Sequence, residues 1–311
     1  MSWTPEQIPD LTGAWVLVTG ASSGLGQQVA RELARHRASV VLAGRNDERL
    51  AASVAGIRQA LPDADLRTLR LDLADLSQVR QAADEVLNAY ERIDVLFANA
   101  GVMATPELRT PDGFELQIAT NHLGHFAFCG LVLPALLATP HGARVVVTSS
   151  FGHRVARGID LRSLTPGADS RPYRRWRSYG ESKLANLLFM LELQRRSMAA
   201  DLSLTSVAAH PGYARTNLQQ TGPAMDGATV ASRAMAVLNK AVAQSTARGA
   251  WPLLMAGTQP GLPGGSYVGP GGPFEQWGRP RLVGMSVAAS DPVLASQLWQ
   301  ASEQATGVRY P

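Results

Sequence analysis

Short apolar runs recur along this chain at intervals that leave room for one helix between them: Ala14–Thr19, Ser39–Ala43, Leu66–Leu71, Ile93–Ala98, Arg144–Thr148 and Ser203–Ala209. Helix-like stretches fill the gaps, near 24–36, 47–60, 75–90, 111–139 and 176–200. The runs are apolar without alternation, which marks strands covered on both faces, and strands that alternate with helices pair in parallel. With right-handed crossovers the outcome is a doubly wound α/β sheet of six to seven parallel strands, helices on both faces. The chain has 311 residues, 45% of them hydrophobic, and no strong linker. It reads as one domain over 1–311.

Three segments break the rhythm. Gly152–Trp176 is rich in Arg, Gly and Pro and delays the helix expected after the fifth strand. Residues 213–250 are Ala-rich and are expected to form a helical lid. The tail over 257–311 is expected to hold a surface loop around a short strand at Ser266–Val268, then a helix near 291–305.

Charge excludes little: 29 basic against 25 acidic residues leave +4, too mild to imply nucleic acid. The basic, aromatic cluster Arg171-Pro172-Tyr173-Arg174-Arg175-Trp176-Arg177 reads as a solvated loop leading into a helix. A single cysteine, Cys129, excludes an internal disulfide and reads as a small buried residue. His122, His125, His153 and His210 lack metal-ligand spacing, so packing and local hydrogen bonds are their expected roles. No apolar run approaches the roughly 18 to 20 residues of a membrane span. The first twenty residues carry Glu6 and Asp10 but no basic leader, so a soluble cytoplasmic protein is expected.

The first strand runs into Thr19-Gly20-Ala21-Ser22-Ser23-Gly24-Leu25-Gly26. Glycines in such a turn let the backbone approach a pyrophosphate, whose charge a helix N-terminus stabilises. The spacing is G-x-x-x-G-x-G, not the commoner G-x-G-x-x-G. It is the turn's place after the first strand of a β-α series that points to a Rossmann-type nucleotide site. The second strand ends at Ala43-Gly44-Arg45, without the carboxylate that would hold a ribose 2′-hydroxyl. Arg45 could pair with a 2′-phosphate, which favours NADP over NAD. Asp47 and Glu48 read instead as first-turn charges after a capping Asn46. Asp72-Leu73 and Asn99-Ala100-Gly101 close the third and fourth strands, where ligands of such sheets bind.

Only two cationic residues, Lys183 and Lys240, are lysines. Lys183 stands four residues after Tyr179, so on a helix both face one way. An ammonium is a compact charge with a movable pKa, unlike guanidinium, and its place below a phenol suggests proton chemistry there.

In this order Thr19-Gly20-x3-Gly24-x-Gly26, Asn99-Ala100-Gly101, Asn121, Ser149-Ser150, Tyr179-x3-Lys183 and Pro211-Gly212-x3-Thr216 resemble the short-chain dehydrogenase/reductase family over about residues 12 to 216. Asn121-His122-Leu123-Gly124-His125-Phe126 and Leu184-Ala185-Asn186 look like its retinol-dehydrogenase-like branch, near the protochlorophyllide reductases. The resemblance implies an NAD(P)(H)-dependent enzyme that interconverts an alcohol and a ketone or aldehyde. It makes Tyr179 the acid/base and gives Lys183 both the phenol and the nicotinamide ribose. Ser150 would hold the substrate oxygen, with Ser149 the second choice. Asn121 would perturb the fifth helix and order a water. Thr216 would contact the nicotinamide carboxamide or the phosphates, with Pro211-Gly212 above the cofactor.

This chain has Ala98 where the family often writes a further Asn, and 29 positions separate Ser150 from Tyr179. Two other functions stay open: a catalytically silent NAD(P)-binding sensor or scaffold, and a reductase of a conjugated C=C bond. Met225, Met235 and Leu238 in the lid hint at a lipophilic substrate or, equally, at a core stripe. The family's homodimers and homotetramers, and this branch's monomers, leave the assembly open.

Overall fold

A computed structural model describes residues 3–168, 172–213 and 244–311. Eight strands form one sheet: β1 Trp15–Thr19, β2 Ser39–Gly44, β3 Leu66–Arg70, β4 Val95–Ala98, β5 Ala143–Thr148, β6 Leu204–Ala209, β7 Tyr267–Pro270 and β8 Pro280–Leu282. Their order is β3-β2-β1-β4-β5-β6-β7-β8, so the direction of winding reverses between β1 and β4. All neighbours pair in parallel except β7 and β8. The sheet therefore exceeds the expected strand count and ends on an antiparallel edge. The extra strand is three residues long, begins with Pro280 and leaves Arg281 and Leu282 exposed. A proline donates no ladder hydrogen bond, which suits an edge.

The helices are α1 Gly24–Arg35, α2 Asp47–Arg58, α3 Leu76–Ala89, α4 Leu116–Ile118, α5 Gly124–Leu131, α6 Leu133–Leu137, α7 Arg175–Ala199, α8 Thr246–Thr258 and α9 Pro292–Thr306. On one face α1 and α8 bury Val29, Leu33, Leu253 and Leu254 against Val18, Leu42 and Val207. On the other, α3, α5, α7 and α9 close over Leu17, Leu96 and Val145. The side chains of Asn46, Asp75 and Asp291 accept first-turn N–H bonds of α2, α3 and α9.

The single helix expected over 111–139 is broken. Residues Ala119–Leu123 form a π turn between α4 and α5, and α6 restarts after Val132 with Pro134 in its first turn. Pro134 has no N–H to give an upstream carbonyl, which favours a restart there. The stretch predicted as lid runs at its end into α8, beneath the sheet; Met225, Met235, Leu238 and Lys240 lie outside the described residues. β7 is wholly buried, not a strand in a surface loop. The tail closes over α5 and α7: Trp299 and Tyr310 pack on Phe126 and Phe189, and the Tyr310 hydroxyl donates to the Phe126 carbonyl at 2.6 Å. Cys129 is buried in that face.

Candidate active site

The carboxyl ends of β1 and β4 meet at the glycine turn. A Cβ on Gly26 would lie 2.4 Å from the Gly20 carbonyl oxygen and 2.8 Å from Asn99 Nδ2, so only glycine allows that crossing. Gly24 adopts a positive φ of 61° with open space above it. Ser23 precedes α1 without a side-chain capping bond, so the first N–H groups of the helix stay open to an anion. These features fit a pyrophosphate. Arg45 is exposed one residue past β2. Asn46 Oδ1 accepts from Arg49 N at 2.8 Å, and Asp47 pairs with Arg70 at 3.2 Å, which leaves Asp47 the first-turn charge expected of it. Asp72 Oδ1 accepts from Ala74 N at 3.0 Å, and Asn99 Nδ2 donates to the Thr19 carbonyl at 2.9 Å.

The second group gathers where β5 meets α7. Tyr179 and Lys183 are buried one turn apart, and Lys183 Nζ lies 5.9 Å from the phenol ring centroid. The ammonium donates to the Thr148 carbonyl at 3.2 Å. The paired serines divide: Ser149 Oγ donates to the Lys183 carbonyl at 2.8 Å, whereas Ser150 Oγ accepts at 3.1 Å from the N–H of Gly152, against which the Tyr179 ring also packs. Asn121 sits in the π turn, the perturbation of the helix expected of it. Its Oδ1 accepts from Val102 N at 2.7 Å, and its Nδ2 donates to the Val102 carbonyl and to Ser182 Oγ, both at 2.9 Å. Pro211 and Gly212 follow β6 at the same edge, while Thr216 lies outside the described residues.

The model of the short chain dehydrogenase family matches residues 14–159. Human retinol dehydrogenase 13 is 40% identical over 71% of this chain and 65% of its own length. Mouse polyprenol dehydrogenase is 35% identical over 97% and 87%. The crystal structure of an uncharacterized protein from Mycobacterium paratuberculosis superposes with a TM-score of 0.81 at 41% identity, covering 100% of both chains. The chain belongs to the short-chain dehydrogenase/reductase family. It is thus an oxidoreductase of an NAD(P)-dependent kind, in the retinol-dehydrogenase-like branch.

In this short-chain dehydrogenase burial sets the electrostatics. Desolvation disfavours charge, so it raises the Tyr179 phenol, against which the Ser150 hydrogen bond works, and lowers the Lys183 ammonium to about 8. At neutral pH the lysine keeps most of its charge. Among the described residues no group of three His, Cys, Asp or Glu side chains could hold a metal, and no helix is long and apolar enough to cross a membrane.

Two parts of the site were not visible in the sequence. Ser182, between Tyr179 and Lys183, holds Asn121 and donates to the Tyr179 carbonyl at 2.8 Å. The insert is anchored by Tyr173, whose hydroxyl donates to the Thr105 carbonyl at 2.9 Å and accepts from Gln117 Nε2 at 2.7 Å. Gln117 Oε1 in turn takes Ala104 N at 2.8 Å, so the wall following Gly101 is tied to the insert. A tyrosine among arginines gives no sequence signal for such a contact.

Proposed function

We propose that the chain interconverts an alcohol and an aldehyde or ketone with NADP(H), Tyr179 serving as acid and base. The observation that carries this reading is the buried pair: Tyr179 and Lys183 one helical turn apart, with the lysine cation 5.9 Å from the Tyr179 ring. The nucleotide would lie along the carboxyl edge of the sheet. Gly20, Ser22, Ser23, Gly24, Leu25 and Gly26 would hold the pyrophosphate, Asp72 and Leu73 the adenine, and Arg45 the 2′-phosphate. Asn99, Ala100, Gly101, Lys183, Pro211, Gly212 and Thr216 would take the nicotinamide half.

When bound, the nicotinamide supplies or accepts the hydride. The chain does the rest. Ser150 donates to the substrate carbonyl oxygen and orients it. As the carbon gains the hydride, the oxygen takes the carbonyl π pair and then the Tyr179 proton, leaving a phenolate. An ordinary phenol, near pKa 10, is a poor acid or base at neutral pH, and the Lys183 charge favours the phenolate. Asn121 braces the helix below through Ser182. Oxidation of the alcohol runs the same steps backwards.

A lipophilic substrate is favoured by the rim. Among the described residues the exposed Trp and Phe side chains are Phe151, Trp176, Phe274 and Trp277. Phe151 follows Ser150. Trp176 stands edge-on to Tyr179 at 6.3 Å. Arg154 lies over the Phe151 ring and pairs with Glu275, next to Phe274. Exposed aromatics beside Ser150 and Tyr179, Phe151 and Trp176 among them, suit an apolar ligand. The names of two relatives specify retinol and polyprenol, so isoprenoid alcohols and their aldehydes are the substrates to try. The test is nucleotide oxidation with retinal, a polyprenal and short aldehydes, with NADPH and NADH in parallel. Faster turnover of the isoprenoid aldehydes with NADPH is expected; no turnover of any aldehyde or alcohol would contradict the reading.

A further inference from the structure

His125 is the second residue of α5, one position past the Gly124 that follows the π turn, and is buried together with Asn121 and Thr19. Its Nδ1 lies 3.0 Å from the Asn121 carbonyl oxygen and its Nε2 lies 2.9 Å from Thr19 Oγ1. A carbonyl can only accept, so Nδ1 carries a proton. Burial lowers the imidazole to about 4, so at neutral pH the ring is uncharged and Nε2 is a bare lone pair. The proton on that second contact comes from the Thr19 hydroxyl. Thr19 Oγ1 still accepts from Asn99 N at 2.9 Å and Ala100 N at 3.0 Å. A directed chain thus runs from the backbone at the end of β4, through Thr19 and the imidazole, to the carbonyl of Asn121.

The two ends of this chain belong to the two halves of the site. Thr19 is the residue before Gly20, and Asn99-Ala100 faces the nucleotide turn. Asn121 braces Val102 and Ser182 beside the Tyr179–Lys183 pair. We propose that His125 is a positioning residue for the reaction assigned above, tying the π turn that carries Asn121 to the Thr19 hydroxyl beneath the nucleotide turn. The proposal rests on that assignment of Tyr179 and Lys183.

The geometry predicts an uneven loss when the ring is removed. Without His125 the Thr19 hydroxyl can turn to the Phe97 carbonyl, 3.2 Å away, and go on accepting from Asn99 and Ala100. The nucleotide side keeps its support. The π turn loses its tether, and misplacement of a supporting group by about 1 Å can cost on the order of a hundredfold in rate.

His125→Leu should therefore lower kcat per folded molecule about tenfold or more, while the NADPH Kd stays within about threefold. His125→Asn can still donate from its amide to the Asn121 carbonyl and should recover most of the lost kcat. His125→Gln can reach only Thr19 and should not. The proposal is overturned if His125→Leu keeps kcat within about twofold, or if kcat and NADPH affinity fall together in the Leu and Asn variants. Should the Leu variant not fold, the Asn and Gln pair decides by the same contrast.

Nitrogen-15 spectra of the wild-type histidines give a readout independent of turnover. A protonated Nδ1 and bare Nε2 on His125 is expected; the opposite tautomer overturns the proposal. Tyr179→Phe, assayed alongside, separates the two claims. Undiminished turnover there counts against the role of the phenol, while the spectra still judge the tether.

Discussion

Acid should destabilise this protein through its buried histidines, well before its carboxylates titrate. An ordinary imidazole takes a proton near pH 6.5, but burial lowers His122 to about 3 and His125 and His153 to about 4. Between 6.5 and 4 the unfolded chain binds protons that the folded chain refuses, so stability falls as pH falls. Each such histidine contributes a slope of about 1.4 kcal/mol per pH unit, or about 2 kcal/mol between pH 6.5 and 5. The fully buried pair then costs about 4 kcal/mol and all three about 6, a large part of the 5 to 15 kcal/mol typical of a domain. Glu192 and Glu275, lowered carboxyls, act in the same direction at lower pH; Glu115, raised by burial, acts against them.

The assay is urea unfolding followed by circular dichroism from pH 7 to pH 5. His122→Leu supplies the control. The Ser302 hydroxyl already donates to the Leu298 carbonyl, so it keeps a partner, and the unpaired Nδ1 of His122 is removed. That variant should flatten the slope by about 1.4 kcal/mol per pH unit. A stability unchanged between pH 7 and pH 5, or a slope untouched by the substitution, would refute the reasoning.

Further outcomes concern the site. Gly26→Ala, with its Cβ 2.4 Å from the Gly20 carbonyl, should cost about 1–3 kcal/mol by overpacking and weaken NADPH binding beyond that loss, as titration by fluorescence would record. Ser150→Ala should lower kcat by on the order of a hundredfold through loss of a substrate hydrogen bond, whereas Ser149→Ala should chiefly lower the melting temperature. Arg45→Ala should reduce the NADP/NAD preference by about tenfold, read from kcat/KM with each nucleotide, if the guanidinium holds the 2′-phosphate.

The sheet was legible because most of its strands are apolar on both faces and α2, α3 and α9 begin at capping side chains. β3, with Arg67, Thr68 and Arg70 exposed, was placed by its position between two helical stretches. Boundaries at Trp15, Ser39 and Leu204 fell within a residue of expectation. The π turn was not legible in the apolar pattern; only the family resemblance placed a perturbation at Asn121. Residues 118 to 129 are almost wholly buried, so their apolar pattern has no polar side on which a change of helical phase could show. β8 was missed because three partly exposed residues beginning with proline look like loop. At the site the Tyr179–Lys183 spacing was plain, since a rare residue stood at a helical interval from a phenol. His125 offered no such signal: a lone histidine among apolar neighbours reads as packing, and its role depends on Thr19, 106 positions away in sequence.

The account's central claim is that Tyr179 moves the proton that accompanies hydride transfer. It is tested most directly by the rate of NADPH oxidation with an aldehyde the wild-type protein reduces, measured for Tyr179→Phe under saturating nucleotide. The substitution leaves the ring and its packing in place and removes the hydroxyl alone. A loss of at least about a hundredfold in kcat, with NADPH affinity little changed, is the result predicted for a proton donor. Turnover within a few-fold of wild type would contradict it.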